Sequence, residues 1–162
     1  MKNVFMPFVI LFFVSIASTL HATPPDSPHL PAGTIYNRTG EPVAAEEIGK
    51  EKGVVLLLLK NVSSGGEKLL AFVESLETPL PADRLLVVAG GVSETLLNTM
   101  ATRHANLAAS WYRDTDDLLA KGLDLKANPV IMGVRDGRVI WTTFGMPNPK
   151  LLEKTIHGWL NR

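Results

Sequence analysis

The sequence contains no cysteine, so its reactive side chains include no thiol. Without a thiol, the chain has neither the nucleophile of thiol–disulfide exchange nor a thiolate ligand for a metal. The most reactive combination is Ser64-Gly65-Gly66-Glu67, a hydroxyl, two glycines and a carboxylate directly before an apolar helical pattern. A serine nucleophile needs an adjacent base, and the sequence places none beside Ser64.

This segment has two further interpretations. S-x-x-E before a helix is a capping box, in which Ser64 accepts a hydrogen bond from the third helical N–H and Glu67 reaches back to the cap. Alternatively, Gly65 and Gly66 leave backbone N–H groups exposed at a helix N-terminus, where an anion or carboxylate can bind. The capping box needs only local geometry and is the simpler prediction.

The remaining polar residues lack the spacing of a metal or nucleic-acid site. No two of the four histidines are four residues apart, as the ligands of helical zinc sites are. Asp114, Asp116 and Asp117 lack the bidentate glutamate of a calcium loop and suit helix capping instead. The 16 basic and 16 acidic residues form no basic stripe for nucleic acid. We therefore expect no metal, no other cofactor and no nucleic-acid partner.

Residues 1–22 have the pattern of a cleavable signal peptide. Lys2 precedes an almost wholly apolar stretch over 4–20, and a small residue, Ala22, follows shortly before a proline pair. Cleavage after Ala22 makes the mature protein periplasmic or secreted. Because about 17 apolar residues are the short limit for spanning a bilayer, the alternative is an uncleaved inner-membrane anchor, and we expect membrane association only in that case.

Beyond the signal peptide, the chain predicts a proline-rich, flexible leader over 23–32 and one domain over 33–162. Six consecutive apolar residues at 54–59 indicate a central strand buried on both faces. Asp136-Gly137 between two apolar runs predicts a β-hairpin, because both central residues of a type I′ turn need a positive φ. The predicted elements are strands at 34–37 and 54–59, a helix over 69–76, a strand at 85–89, a helix from 93, a strand at 107–111, a helix over 116–121 capped by Asp114, strands at 130–134 and 138–143, and a helix capped by Asn148. This order predicts a three-layer α/β sandwich around a mixed sheet.

Three stretches, over residues 36–43, 53–59 and 128–139, occur in an order and spacing that resemble the periplasmic TlpA/ResA-like thioredoxins. In that family they correspond to the N-terminal hairpin, the strand that leads to the active site, and the cis-proline region with its hairpin. The resemblance implies the thioredoxin-like fold, a central mixed sheet flanked by helices. Residues 64–67 stand in place of the family's C-x-x-C motif, and Leu58 stands where some members have a proton-handling carboxylate. The resemblance therefore implies a redox-inactive member.

The same resemblance assigns roles to Asn128 and Pro129. In the family the proline follows a cis peptide bond, and the residue before it, here Asn128, pairs with the backbone of a bound partner. A groove between residues 64–67 and Asn128-Pro129 is thus expected to hold a polypeptide segment or a small anion. We expect an exported binding or accessory module, with a structural subunit of an envelope redox or secretion assembly, or an enzyme using non-thiol chemistry, as alternatives.

Overall fold

The sheet is built around one strand whose first six residues are all buried. The computed structural model describes residues 27–61 and 63–161. In it, strand Val54–Lys60 pairs in parallel with strand Leu85–Gly90 on one side and antiparallel with strand Val130–Arg135 on the other. The predicted signal peptide over 1–22, and the leader up to residue 26, lie outside the described residues.

The secondary structure follows the order expected from the sequence. The elements are β1 (Thr34–Asn37), β2 (Pro42–Ala44), a 3₁₀ turn (Ala45–Glu47), β3 (Val54–Lys60), α1 (Ser64–Glu74), β4 (Leu85–Gly90), α2 (Glu94–Arg103), β5 (Ser110–Asp114), α3 (Leu118–Gly122), β6 (Val130–Arg135), β7 (Arg138–Phe144) and α4 (Pro149–Leu160). The strands form one sheet in the order β2-β1-β5-β4-β3-β6-β7. The β3, β4 and β5 strands are parallel neighbours, whereas β6 and β7 are antiparallel. The mixed sheet of the prediction is confirmed.

Alternate side chains of β3 enter two separate hydrophobic clusters. Val55, Leu57 and Leu59 pack with apolar residues of α1, α2 and α4 on one face of the sheet. Leu56 and Leu58 pack on the opposite face with α3 and with the chain that precedes β1. Because complete burial of one such side chain stabilises the fold by about 1.5–3 kcal/mol, this strand fixes the position of both helical layers.

The prediction of a strand at 107–111 is wrong by three residues. The strand is β5, which begins at Ser110 in parallel register with Leu86. Leu107 is buried, but it closes a turn, since its N–H donates to the carbonyl of His104 (3.0 Å). A buried turn and a buried strand have the same hydrophobic pattern, so the sequence placed the strand too early.

Asp114 caps α3 from the last position of β5. Its side chain is almost completely buried, and its two carboxylate oxygens accept the N–H groups of Leu118 and Leu119 at 2.8 Å each. Helix α3 therefore begins at Leu118, later than the predicted start at Asp116, while the predicted capping residue is correct.

Residues 27–32, here called the leader strap, pack against the domain. Leu30 is 3 % exposed, and its N–H donates to the carbonyl of Gly137 (2.8 Å). The N–H of Val139 donates in turn to the carbonyl of Pro28 (2.9 Å). The prediction of a flexible leader is therefore wrong for residues 27–32, because burial of Leu30 outweighs the proline-rich composition.

The strap is also held where it joins β1. The N–H of Gly33 donates to a carboxylate oxygen of Glu46 (3.1 Å), and the carbonyl of Gly33 accepts from Ala45 (2.8 Å). Hydrogen bonds from the backbone N–H of Glu46 itself and from Gly33 hold the pKa of the Glu46 carboxyl below its usual value. Strap and 3₁₀ turn thus form one attached unit.

Candidate functional site

The first turn of α1 is capped by Ser63, one residue before the serine that the sequence pattern favoured. Ser63 has an extended backbone, and its Oγ accepts the N–H of Gly66 (3.1 Å). Ser64 is already the first helical residue. The predicted capping box of Ser64 and Glu67 is therefore wrong, because the helix begins one residue earlier than that box requires.

Glu67 does not reach back to the helix cap, since its carboxylate contacts the end of α2. One oxygen lies 2.9 Å from a guanidinium nitrogen of Arg103, and the other lies 3.1 Å from Nε2 of His104. The opposite ring nitrogen of His104 lies 3.1 Å from a carboxylate oxygen of Glu74. Sequence reasoning missed this cluster, because no local signal relates residue 104 to α1.

The start of α1 lies against the loop that contains Pro129. A Cβ atom placed on Gly65 would lie 3.1 Å from Cδ of Pro129 and 3.7 Å from the carbonyl oxygen of Asn128. The peptide bond between Asn128 and Pro129 is cis. The structure thus brings together the two segments that sequence reasoning paired, residues 64–67 and Asn128-Pro129, although about 60 residues of chain separate them.

The side chain of Asn128 joins the proline loop to the end of β3. Its Oδ1 accepts the N–H of Lys60 (3.0 Å), and its Nδ2 donates to the carbonyl of Lys60 (2.6 Å). The same Nδ2 lies 3.1 Å from Oγ of Ser63. The side chain of Asn128 therefore makes the two hydrogen bonds that the next residue pair between β3 and β6 would make. Together with its contact to Ser63, this holds the proline loop against the start of α1.

Several backbone groups of these two segments have no hydrogen-bond partner among the described residues. Among residues 27–61 and 63–161, the N–H and C=O of Asn128 and the N–H groups of Ser64 and Gly65 make no hydrogen bond. The N–H of Gly66 is taken by Ser63. The sequence interpretation with two exposed glycine amides is thus wrong for Gly66 and applies to Gly65 alone.

Two exposed apolar side chains, those of Phe144 and Met146, lie at the end of β7 close to the proline loop. The N–H of Gly145 donates to the carbonyl of Pro129 (2.8 Å), which places the end of β7 beside the proline loop. Phe144 is 58 % exposed and Met146 is 40 % exposed. The site therefore combines unpaired backbone donors and acceptors with apolar side chains, the chemistry that an extended polypeptide segment requires.

The groove offers little for covalent chemistry. Within the described part of the chain, Ser64 has no hydrogen bond to a base, and His104 is engaged by two carboxylates. Leu58, on the face of the sheet opposite to α1, is 1 % exposed and apolar, so this position supplies no carboxylate for proton transfer.

A central parallel strand that runs to a helix, with a cis-proline loop against the helix start, defines a thioredoxin-like fold. The structure is similar to a thiol-disulfide isomerase from Corynebacterium glutamicum, with a TM-score of 0.63 and 14 % identity over 85 % of this chain and 98 % of that chain. It is also similar to a secreted disulfide oxidoreductase from Mycobacterium tuberculosis, with a TM-score of 0.61 and 10 % identity over 78 % and 96 %. A third similar structure is the exposed lipoprotein thioredoxin of Streptococcus pneumoniae, with a TM-score of 0.60 and 15 % identity over 78 % and 98 %.

No protein-family model and no curated protein sequence matches the chain. At identities between 10 % and 15 %, the structural similarity shows a shared fold alone. The function therefore has to be argued from the residues of the site. All three similar structures are of proteins whose names describe disulfide or thioredoxin chemistry, whereas this chain has no cysteine.

None of the helices in residues 27–61 and 63–161 has the length and hydropathy needed to cross a bilayer.

Proposed function

We propose that this protein is an exported, redox-inactive thioredoxin-like module that binds an extended polypeptide segment in the groove between the start of α1 and Asn128-Pro129. The observation that carries the proposal is that, among residues 27–61 and 63–161, the backbone N–H and C=O of Asn128 and the N–H groups of Ser64 and Gly65 have no hydrogen-bond partner. An incoming strand can pair with both groups of Asn128, since main-chain hydrogen bonds supply affinity in this kind of recognition.

The apolar side chains of Phe144 and Met146 support a polypeptide rather than a small anion as the occupant. An anion would use the amides of Ser64 and Gly65 at the helix N-terminus, and it would gain nothing from an adjacent apolar surface. An extended segment uses the backbone groups of the site and also the apolar surface, because its backbone pairs with Asn128 while alternate side chains contact the apolar surface.

Export is part of the proposal. Residues 1–22 have the pattern of a signal peptide, and one protein of similar fold is described as secreted. N-terminal sequencing of the protein recovered outside the cytoplasm is expected to begin at Thr23. A protein that keeps residues 1–22 and stays in the membrane fraction would favour the anchored alternative.

The groove is tested by adding a permanently unfolded polypeptide, reduced and alkylated casein, to the ¹⁵N-labelled mature protein. We expect amide shift changes at Ser64, Gly65, Asn128 and Met146. Gly65→Leu fills the groove against Pro129 and is expected to weaken binding at least tenfold, about 1.4 kcal/mol.

The matched control for this experiment is Gly158→Leu. Gly158 lies in α4, where an added side chain meets open space, so this variant should bind as the wild type does. Equal binding by both variants would contradict the groove. Shift changes confined to remote surfaces, such as the 60 % exposed Leu151, would favour the structural-subunit alternative.

A further inference from the structure

A buried histidine lies between two carboxylates beside the groove. His104 is 6 % exposed, and each of its ring nitrogens lies 3.1 Å from a carboxylate oxygen, Nε2 from Glu67 and Nδ1 from Glu74. Both acceptors come from α1, while the histidine follows the last residue of α2. We call these three residues the carboxylate–histidine cluster.

Counting hydrogen atoms shows what this geometry requires. An ionised carboxylate only accepts hydrogen bonds, and a neutral imidazole has a single N–H. Both carboxylates can therefore accept a hydrogen bond from the ring only if both ring nitrogens donate, which is the imidazolium form. Two ionised carboxylates and a neutral imidazole provide one hydrogen for these two hydrogen bonds. The cluster with both hydrogen bonds therefore contains one additional proton.

The surroundings of His104 favour the cluster with the additional proton over the cluster without it. In the described part of the chain, the charged groups within ion-pair distance of the cluster are its own two glutamates and Arg103, which contacts the outer oxygen of Glu67 at 2.9 Å. Without the proton, the two carboxylates would compete for one N–H. The ring nitrogen without hydrogen would then be left without a hydrogen bond, which is costly because the side chain of His104 is buried.

We propose that the carboxylate–histidine cluster is a proton-binding site that locks α1, from Glu67 to its last residue Glu74, to the end of α2. Binding of the proton closes both hydrogen bonds, and its release opens one of them and loosens α1. Since Glu67 follows Gly66 at the groove, the lock also sets how firmly the start of α1 is held. Only the effect of the lock on the groove at the start of α1 rests on the proposed function.

The test uses Glu74→Gln, which removes the need for the proton while keeping the shape of the side chain. A glutamine can donate its amide N–H to a neutral Nδ1, so both hydrogen bonds persist with a single ring N–H. We measure ¹⁵N–¹H correlations of the histidine rings in the mature protein near pH 7. In the wild type both nitrogens of His104 are expected to bear hydrogen, and in Glu74→Gln one nitrogen is expected to lose it.

A second readout is amide hydrogen exchange in α1 at increasing pH. After correction for intrinsic exchange, protection over residues 67–74 should fall with rising pH in the wild type and remain level in Glu74→Gln. Glu67→Gln should behave like Glu74→Gln. The control is Glu153→Gln, which changes a glutamate 4.0 Å from the ring of His157 and should leave His104 and α1 as in the wild type.

Two results would overturn the proton-binding site: a wild-type His104 with one bare ring nitrogen, or equal ring protonation and equal pH response in wild type and Glu74→Gln. Both readouts use the protein without a partner. A failure of the groove to bind polypeptide therefore leaves them unchanged, and a failure of the lock leaves the casein titration unchanged.

Discussion

Two adjacent serines stand at the start of α1, and the backbone conformation decides which of them caps the helix. Ser63 has φ −114° and ψ 152°, which turns its Oγ toward the N–H of Gly66. Ser64 is helical and exposed. The side chain of Ser63 also receives Nδ2 of Asn128 (3.1 Å), so the cap and the proline loop share one hydroxyl.

The two serines should differ clearly on substitution. Ser63→Ala removes the cap and is expected to cost about 0.5–2 kcal/mol of unfolding free energy. Ser64→Ala changes an exposed side chain and should stay within about 0.5 kcal/mol of the wild type. Urea unfolding of both variants checks the prediction, and a larger loss for Ser64→Ala would restore the capping box of the sequence pattern.

The β6–β7 hairpin shows a close approach of two residues that no turn signal reveals. A Cβ atom on Gly133 would lie 2.0 Å from Nε1 of Trp141, its partner across the strands. Trp141 in turn meets the ring of Trp159 edge to face, with centroids 6.4 Å apart. Trp159 donates from Nε1 to the carbonyl of Val54 (3.0 Å). The glycine thus leaves space for the ring that connects the hairpin to α4.

Gly133→Ala should be destabilising, because the indole of Trp141 has to leave its place. Overpacking of this kind costs about 1–3 kcal/mol, occasionally more. The matched control is Gly158→Ala, in the interior of α4 with open space at the new methyl group, which should stabilise the protein by about 0.5–1 kcal/mol. Thermal unfolding of the two variants should show midpoint shifts of opposite sign, and shifts of the same sign would contradict this account.

The elements that the sequence predicted well are those with local signals. The continuous apolar run of β3, the Asp136-Gly137 turn with φ values of 53° and 67°, and Asn148 with Pro149 at the start of α4 each depend on neighbours in the chain. The candidate groove was predicted through a resemblance in order and spacing.

What the sequence did not predict depends on partners distant in the chain. The bonds between Asn128 and Lys60 span 68 residues, and the contact between His104 and Glu67 spans 37. Such pairs form only after helices and strands have packed, and no periodicity or short motif encodes them. For the same reason Ser63 was overlooked as a site residue, since its role depends on Asn128.

At the scale of the whole molecule, the leader strap holds the N-terminal end of the domain against its last hairpin. Its proline-rich composition alone predicts a flexible segment. The leader strap contributes Leu30 to the hydrophobic cluster beneath α3 and extends the hydrogen bonding at the edge of β7 through Pro28. Burial of one leucine therefore connects the N-terminal end of the domain to its last hairpin.

Leu30→Ala should destabilise the protein by about 2–5 kcal/mol, as removal of a fully buried leucine side chain generally does. The control is Leu151→Ala, because Leu151 is 60 % exposed and its truncation should change stability by less than about 0.5 kcal/mol. Urea unfolding gives the free energies, and limited proteolysis should cut the strap sooner in Leu30→Ala. Equal midpoints for both variants would show that the strap contributes nothing to stability.

For a chain exported as proposed above, the docking of the strap also sets an order of events. The carbonyl of Ser27 accepts from Arg138, 111 residues further along the chain, and the partners of Leu30 and Pro28 lie in the same hairpin. In a chain translocated from its N-terminus, the strap emerges long before the residues it pairs with. Under the proposed cleavage after Ala22, a peptidase would thus meet undocked polypeptide, and closure of the strap onto β7 would wait until translocation is nearly complete.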